Sequence, residues 1–349
     1  MPENSIDHID FEDLNKRSIS PHIITHLYTA DPSAHVFDGK IYIYPSHDID
    51  AGDAFDDLGS HFAMEDYHVF SMEDIDSEVK DHGIALHVDN VKWAEKQMWA
   101  PDASEKDGKY YLFFPAKDYK GIFRIGVAIG ENPEGPFTPM DKPIEGSFSI
   151  DPAVYKDDNG EYYMYFGGIW GGQLQRWRNG VFNPNNPTSP TAFLPNDDEP
   201  ALLPFVAKMS DDLLEFAEKP REVQILDERG KLLLAGDNER RFFEAAWVHK
   251  YNGKYYFSYS TGDTHFICYA IGDNPYGPFT YKGKILNPVV GWTSHHSICE
   301  FKGKWYLFYH DSSLSKGVTH LRSIKIAEIQ YDMDGLIRTL EPYNDFSIL

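Results

Sequence analysis

Residues 244–262 read EAAWVHKYNGKYYFSYSTG. An apolar stretch runs into Asn252-Gly253 and leaves it as a tyrosine-rich strand. Asn-Gly between two apolar runs is the strongest short-range hairpin signal, because both turn positions then tolerate positive φ. The same unit recurs four times: DPSAHVFDGKIYIYPSHD at 31–48, APDASEKDGKYYLFFPAK at 100–117, DPAVYKDDNGEYYMYFGG at 151–168 and HHSICEFKGKWYLFYHD at 295–311. The turns Asp38-Gly39, Asp107-Gly108, Asn159-Gly160 and Lys302-Gly303 complete the set. Five copies of one hairpin are an internal repeat, and repeats decide architecture before any single element does.

Further strands follow each hairpin. GVAIGENPEGPFTPM at 126–140 and YAIGDNPYGPFTYKG at 269–283 match each other as strand, Pro/Gly turn and strand. Helical periodicity is scarce, its best candidates being short pieces such as 211–218. Repeated four-stranded units of this size predict an all-β, five-bladed β-propeller, with a two-sheet sandwich as the structural alternative. The residues heading the units, Asp31, Asp102, Asp151, Glu244 and His296, are spaced 71, 49, 93 and 52 apart, so the first and third blades carry insertions. The Pro/Asn-rich stretch 173–205 reads as a long surface loop. No composition break divides residues 1–349, which read as one domain with an N-terminal extension over 1–20.

Composition narrows function. The formal charge is −23, which repels polyanions and argues against nucleic acid and anionic membranes as partners. An uncharged substrate is indifferent to that field. The 22 Tyr, 23 Phe and 7 Trp suit strands, and aromatic rings also pack well on the apolar face of a sugar. Cys268 and Cys299 have no metal-binding spacing and read as buried free thiols. The acidic N-terminus lacks the apolar core of a secretory signal, and no run approaches the ~18 apolar residues that span a bilayer, so a cytoplasmic protein is expected.

In a propeller the innermost strand of each blade lines the central channel, so residues at its head converge on the channel mouth. Any one of these acids could be an ordinary turn or cap. Their recurrence at one repeat position, and the apolar surroundings of Asp31 (YTADPSA), Asp151 (FSIDPAV) and Glu244 (RFFEAAW), point instead to buried converging carboxyls. Burial raises a carboxyl's pKa and suits it to general-acid work, and glycosidic hydrolysis needs two carboxyl groups with separate roles.

The ADPS with Asp31, WAPD at 99–102, SIDPAV with Asp151, FFEAAWVHKYNGKYYFSYS with Glu244 and HHS at 295–297 together resemble glycoside hydrolase family 43, a family of β-xylosidases, α-L-arabinofuranosidases and arabinanases. The resemblance runs from about Ile24 to about Leu340. It implies Asp31 as general base, Glu244 as general acid, and Asp151 as the residue that tunes and holds Glu244. It implies inversion at the anomeric carbon, with base and acid roughly 6.5–9.5 Å apart. His296 resembles a channel histidine that in some members ligates Ca2+ with water completing the shell; a hydrogen-bonding histidine without an ion is the other reading. Arg322 resembles a last-blade arginine that binds sugar hydroxyls. Trp99 is expected as an aromatic wall of the first subsite, beside Asp102 as a positioning residue, with His47 and Trp170 as rim contacts. No organic cofactor is implied. The extra C-terminal β-sandwich of the longer β-xylosidases is not read in this chain. The expected substrates are xylo- or arabino-oligosaccharides, cleaved by an exo-β-xylosidase with arabinofuranosidase side activity, or by a dedicated arabinofuranosidase or arabinanase. A non-catalytic sugar-binding propeller need not keep three acids, and a retaining fructan hydrolase would carry NDPNG and RDP strings that are absent.

Overall fold

Five antiparallel sheets stand around one axis in a computed structural model that describes residues 8–345. Blade I is β1 (Tyr28–Phe37), β2 (Lys40–Asp48), β3 (Asp66–Met72) and β4 (Lys80–His87). Blade II adds a short β5 (Ala94–Lys96) to β6 (Asp102–Lys106), β7 (Lys109–Asp118), β8 (Phe123–Gly130) and β9 (Thr138–Pro139). Blade III is β10 (Ala153–Lys156), β11 (Tyr162–Phe166), β12 (Phe205–Lys208) and β13 (Arg221–Glu222). In blade IV, β14 (Ile225–Leu226) lies parallel on the outer edge of β15 (Glu244–Tyr251), β16 (Lys254–Ser260), β17 (Ile267–Gly272) and β18 (Phe279–Leu286). Blade V is β19 (His296–Phe301), β20 (Lys304–Asp311) and β21 (Ser323–Ile329). The innermost strands β1, β6, β10, β15 and β19 pack against one another in cyclic order and close the ring.

The core explains why the strands run apolar rather than alternating. One hydrophobic cluster fills each of the five seams between neighbouring blades: Ile43 and Phe70 meet Phe308 and Ile324 between blades I and V, and Tyr165 and Val206 meet Phe257 and Tyr259 between III and IV. Each sheet is therefore covered on both faces, and strings such as YYLFF and YYMYF bury every residue. Four of the five hairpins close through two-residue turns with positive φ at both positions, 51° and 79° at Asp38-Gly39 and 51° and 80° at Lys302-Gly303. Asn159-Gly160 departs from the expectation. There Lys156 pairs with Tyr162 across a five-residue loop tied by Asp157.

Residues 211–218 form turns, with Met209 bridging Phe216, and not the helix their periodicity suggests. The only α-helix among the described residues is α1 (Phe11–Arg17), capped by the Asp10 side chain. It lies within the expected N-terminal extension, and its Leu14 is buried in the seam between blades IV and V. After it the chain runs along blade V, where His22 bridges Lys325 and the Ile23 amide donates to Ile324. Apart from Phe205, which opens β12, the 173–205 stretch lacks strands yet is ordered around buried Arg176, whose guanidinium donates to the carbonyls of Asn183, Asn185, Asn186 and Ser189. Both cysteines are free thiols. Among the described residues no helix is long and apolar enough to cross a membrane.

Candidate active site

The channel opens at one end into a pocket walled by all five blades. Asp31 sits there because β1 bulges between Ala30 and Ser33, which leaves Asp31 at φ 50°. Asp tolerates this left-handed region better than most residues. β15 bulges in the same way after Glu244, with Ala245 at φ 63°. A bulge re-aims the side chain beside it, and here both re-aimed side chains are carboxyls at the channel mouth.

Asp31 is buried and held by a fork. Arg322 Nη1 donates to its Oδ1 at 2.8 Å and Nη2 to its Oδ2 at 3.1 Å, while Ser46 Oγ donates to Oδ2 at 2.6 Å. The His310 ring accepts the Asp31 amide at 3.0 Å. Burial by itself raises the carboxyl. Arg322 first, then the neighbouring His295 and His310 and the Ser46 hydroxyl, outweigh it and hold Asp31 at about 2. The remaining Arg322 donors go to Asp48 Oδ1 at 2.8 Å, Asp48 Oδ2 at 2.9 Å and Thr293 Oγ1 at 2.8 Å. All five N–H groups of the guanidinium are thus committed inside the protein. Arg322 lines the pocket as the counter-ion of Asp31, and any sugar hydroxyl would have to share donors already in use.

Glu244 lies across the same pocket, with no cation paired to it among the described residues. Burial first, and the Asp31 carboxylate second, push it up to about 8 against the opposing pull of Arg322. Asp151 is raised well above the usual range by burial, then by Glu244 and Asp31. Its Oδ2 accepts the amide of Ala245 at 2.9 Å, so it fixes the backbone that carries Glu244. His295 Nε2 stands 3.7 Å from the same oxygen, and burial pushes that imidazole down, toward its neutral form.

The other expected residues divide. Trp99 lines the pocket, donating from Nε1 to the Phe62 carbonyl at 2.8 Å and packing on Phe123. Trp170 lines it too and packs at tilted angles against Phe243 and Trp292. Asp102 and His296 do not reach the mouth. Ala100 and His295 hold those places, and the two expected residues lie deeper along the channel. Asp102 is fully buried as a knot between blades, accepting from Ser33 and the Val154 amide and pairing with His35 Nε2 at 2.6 Å. His47 is outside the pocket, with Nδ1 2.7 Å from Asp66 Oδ1. Strand alternation is the reason: in β2, Ser46 and Asp48 point toward Asp31 and Arg322, so His47 points to the opposite face. Ser46, Asp48, His310 and His295 were the functional neighbours hidden in the quoted SHD, YHD and HHS strings. Phe62 and His61 come from the blade I insertion, which carries no motif.

Residues 21–188 and 204–337 match the profile of glycosyl hydrolases family 43. The chain belongs to glycoside hydrolase family 43. This family 43 member is an inverting glycoside hydrolase. It is 62% identical over 315 residues to a xylosidase/arabinosidase of Bacteroides ovatus, covering 90% of this chain and 95% of that one. It is 61% identical over 327 residues to xylosidase/arabinosidase 43A of Humicola insolens, covering 92% and 99%. Among solved structures, a β-xylosidase/α-arabinofuranosidase from a compost microbial metagenome, in complex with xylotriose and in calcium-free form, superposes with a TM-score of 0.91 at 64% identity over 94% of this chain and 99% of that one.

Proposed function

We propose that this family 43 enzyme is an exo-acting β-1,4-xylosidase with α-L-arabinofuranosidase activity, releasing single pentoses from xylo-oligosaccharides. The observation that carries the mechanism is the opposed protonation of two carboxyls in one pocket: Asp31 ionised against Arg322, Glu244 protonated at neutral pH. Asp31 takes a proton from water as its oxygen attacks the anomeric carbon. The glycosidic carbon–oxygen bond breaks on the opposite face, and Glu244 gives its proton to the departing oxygen. Asp151 positions Glu244 through the Ala245 amide, while burial and the Asp31 carboxylate keep the proton on Glu244. Trp99, Trp170 and Trp292 offer ring faces to the sugar. Both substrate activities follow the names of the two relatives, and terminal xylose and arabinofuranose present similar hydroxyl layouts. Purified protein is expected to release nitrophenol from nitrophenyl β-xyloside and α-arabinofuranoside, with inverted product by NMR. Release from neither refutes the exo-pentosidase reading, and release from the arabinoside alone makes it a dedicated arabinofuranosidase.

Calcium fits only as a water-rich ion. His296 Nε2 is 2.6 Å from Ser258 Oγ, and its Nδ1 is buried without a protein partner, so one nitrogen is free to ligate. Among the described residues no three-ligand group includes His296, and calcium prefers six to eight oxygens, so water would supply the rest. Such an ion would add positive charge beneath the carboxyls. Activity lost to a chelator and restored by calcium is the expected result; an unchanged rate removes the ion from the proposal.

A further inference from the structure

We propose that His47, Asp66 and His68 form a binding site for a first-row divalent ion of the zinc type, clamping the stem of the loop that walls the pocket. One ligand atom from each residue lies within 4.8 Å of the others. His47 Nδ1 is 2.7 Å and His68 Nε2 is 4.0 Å from the same Asp66 oxygen, Oδ1. A tetrahedral zinc with bonds of about 2.1 Å sets its ligand atoms about 3.4 Å apart, so side-chain shifts of roughly 1 Å would seat it. Two imidazoles and one carboxylate, with water in the fourth position, are a zinc-type donor set and too nitrogen-rich for calcium or magnesium.

The second observation is the support behind His68. Its Nδ1 is 3.0 Å from Asp81 Oδ1, and Asp81 is itself fixed by the Gly83 amide at 2.7 Å and His26 Nε2 at 2.8 Å. A carboxylate that takes the Nδ1 proton of a histidine leaves the lone pair on Nε2, the arrangement that orients metal-binding histidines. The same bond turns His68 Nε2 toward the Asp66 carboxylate, 4.0 Å away, the side on which a metal ion would be held.

The location supplies a use. The β2–β3 ladder pairs Ile41 with Met72 and Ile43 with Phe70. Continued in the same register, it sets His47 opposite Asp66 and Pro45 opposite His68. These positions close the base of segment 49–65, whose Asp56, His61, Phe62 and Met64 wall the pocket. An ion here would hold the two ends of that loop together without touching the catalytic carboxyls.

The test is calorimetric titration of zinc chloride into chelator-treated full-length protein, with thermal melting in parallel. One zinc per chain is expected, together with a zinc-dependent rise in melting temperature. His68→Gln and His47→Gln should remove both. Asp81→Asn, which touches no metal, should weaken binding by about 10–100-fold. Melting without zinc shows whether each variant is folded, and partly exposed His47 provides a reading if His68→Gln is not. Zinc binding unaltered in His47→Gln and Asp81→Asn, or no stoichiometric binding by the parent protein, overturns the proposal.

Discussion

Replacing Arg322 by Met removes the guanidinium bonded to Asp31 while keeping most of the side chain's apolar volume. In the intact enzyme Asp31 is held at about 2, below the ordinary value of 3.8. That depression corresponds to roughly 2 kcal/mol of stability, present above about pH 4 and lost as pH falls through 2. Without the guanidinium the sign reverses, because burial is then largely uncompensated. Glu244, which has no cation bonded to it in the same pocket, shows how far such an acid rises: to about 8. The Asp31 carboxyl in Arg322→Met should therefore rise well above its ordinary value, toward that of Glu244, and Asp48 loses its partner as well. Removing one member of a buried ion pair costs roughly 3–5 kcal/mol, so the variant should melt several degrees lower while remaining folded. The decisive assay is kcat/KM against pH. The parent enzyme should be flat on its acid side from pH 4 to 7, with its base ionised throughout. The variant should lose up to about tenfold per pH unit below its new Asp31 value and recover as pH rises. Arg322→Lys, which keeps the charge but not the fork, should fall between the two. A folded Arg322→Met enzyme whose profile stays flat from pH 4 to 7 refutes the idea that this arginine holds the base ionised.

Two further outcomes follow from the same geometry. Because Glu244 must carry a proton to act, kcat/KM should decline as pH rises through about 8; Glu244→Gln should abolish that limb and cost about 100–10,000-fold on natural xylobiose, but less on nitrophenyl glycosides, whose leaving group needs little protonation. Lys325→Met strands the buried Asp311 carboxylate, 2.7 Å from the ammonium, and should destabilise the protein by roughly 3–5 kcal/mol in urea unfolding at pH 7. Asp311 is held well below the usual range, burial being outweighed by His22 and Lys325, so its contribution is present above about pH 4 and fades with acidification. The gap between parent and variant should accordingly narrow at pH 3.

The propeller was legible because its hairpins repeat and both faces of every sheet are buried, which makes the strands apolar without interruption. The converging acids were legible from their place in the repeat. Their register was not. Counting back from the turn glycine gives eight residues to Asp31, nine to Asp151 and Glu244, but only six to Asp102. Bulges in β1 and β15 and the five-residue loop of blade III account for the longer distances, and none of them has a sequence mark as clear as Asn-Gly. Asp102 therefore sits below the mouth as a knot, and Ala100 takes its place. His47 shows the same limit, since choosing among Ser46, His47 and Asp48 required knowing which face of β2 looks inward. The order within 173–205 rests on one arginine bonding four carbonyls, a long-range arrangement that composition does not report.

The bond between Arg322 and Asp31 joins residues 291 positions apart, across the seam where the first blade meets the last. The same seam is stitched by the early chain, through His22 and Ile23 on β21. Catalytic competence is consequently a late event in the life of the polypeptide. While the ribosome is still making blades II to IV, Asp31 has no counter-ion and behaves as an unassisted carboxyl. The base comes into being only when the circle shuts, so turnover itself reports that the whole ring has assembled.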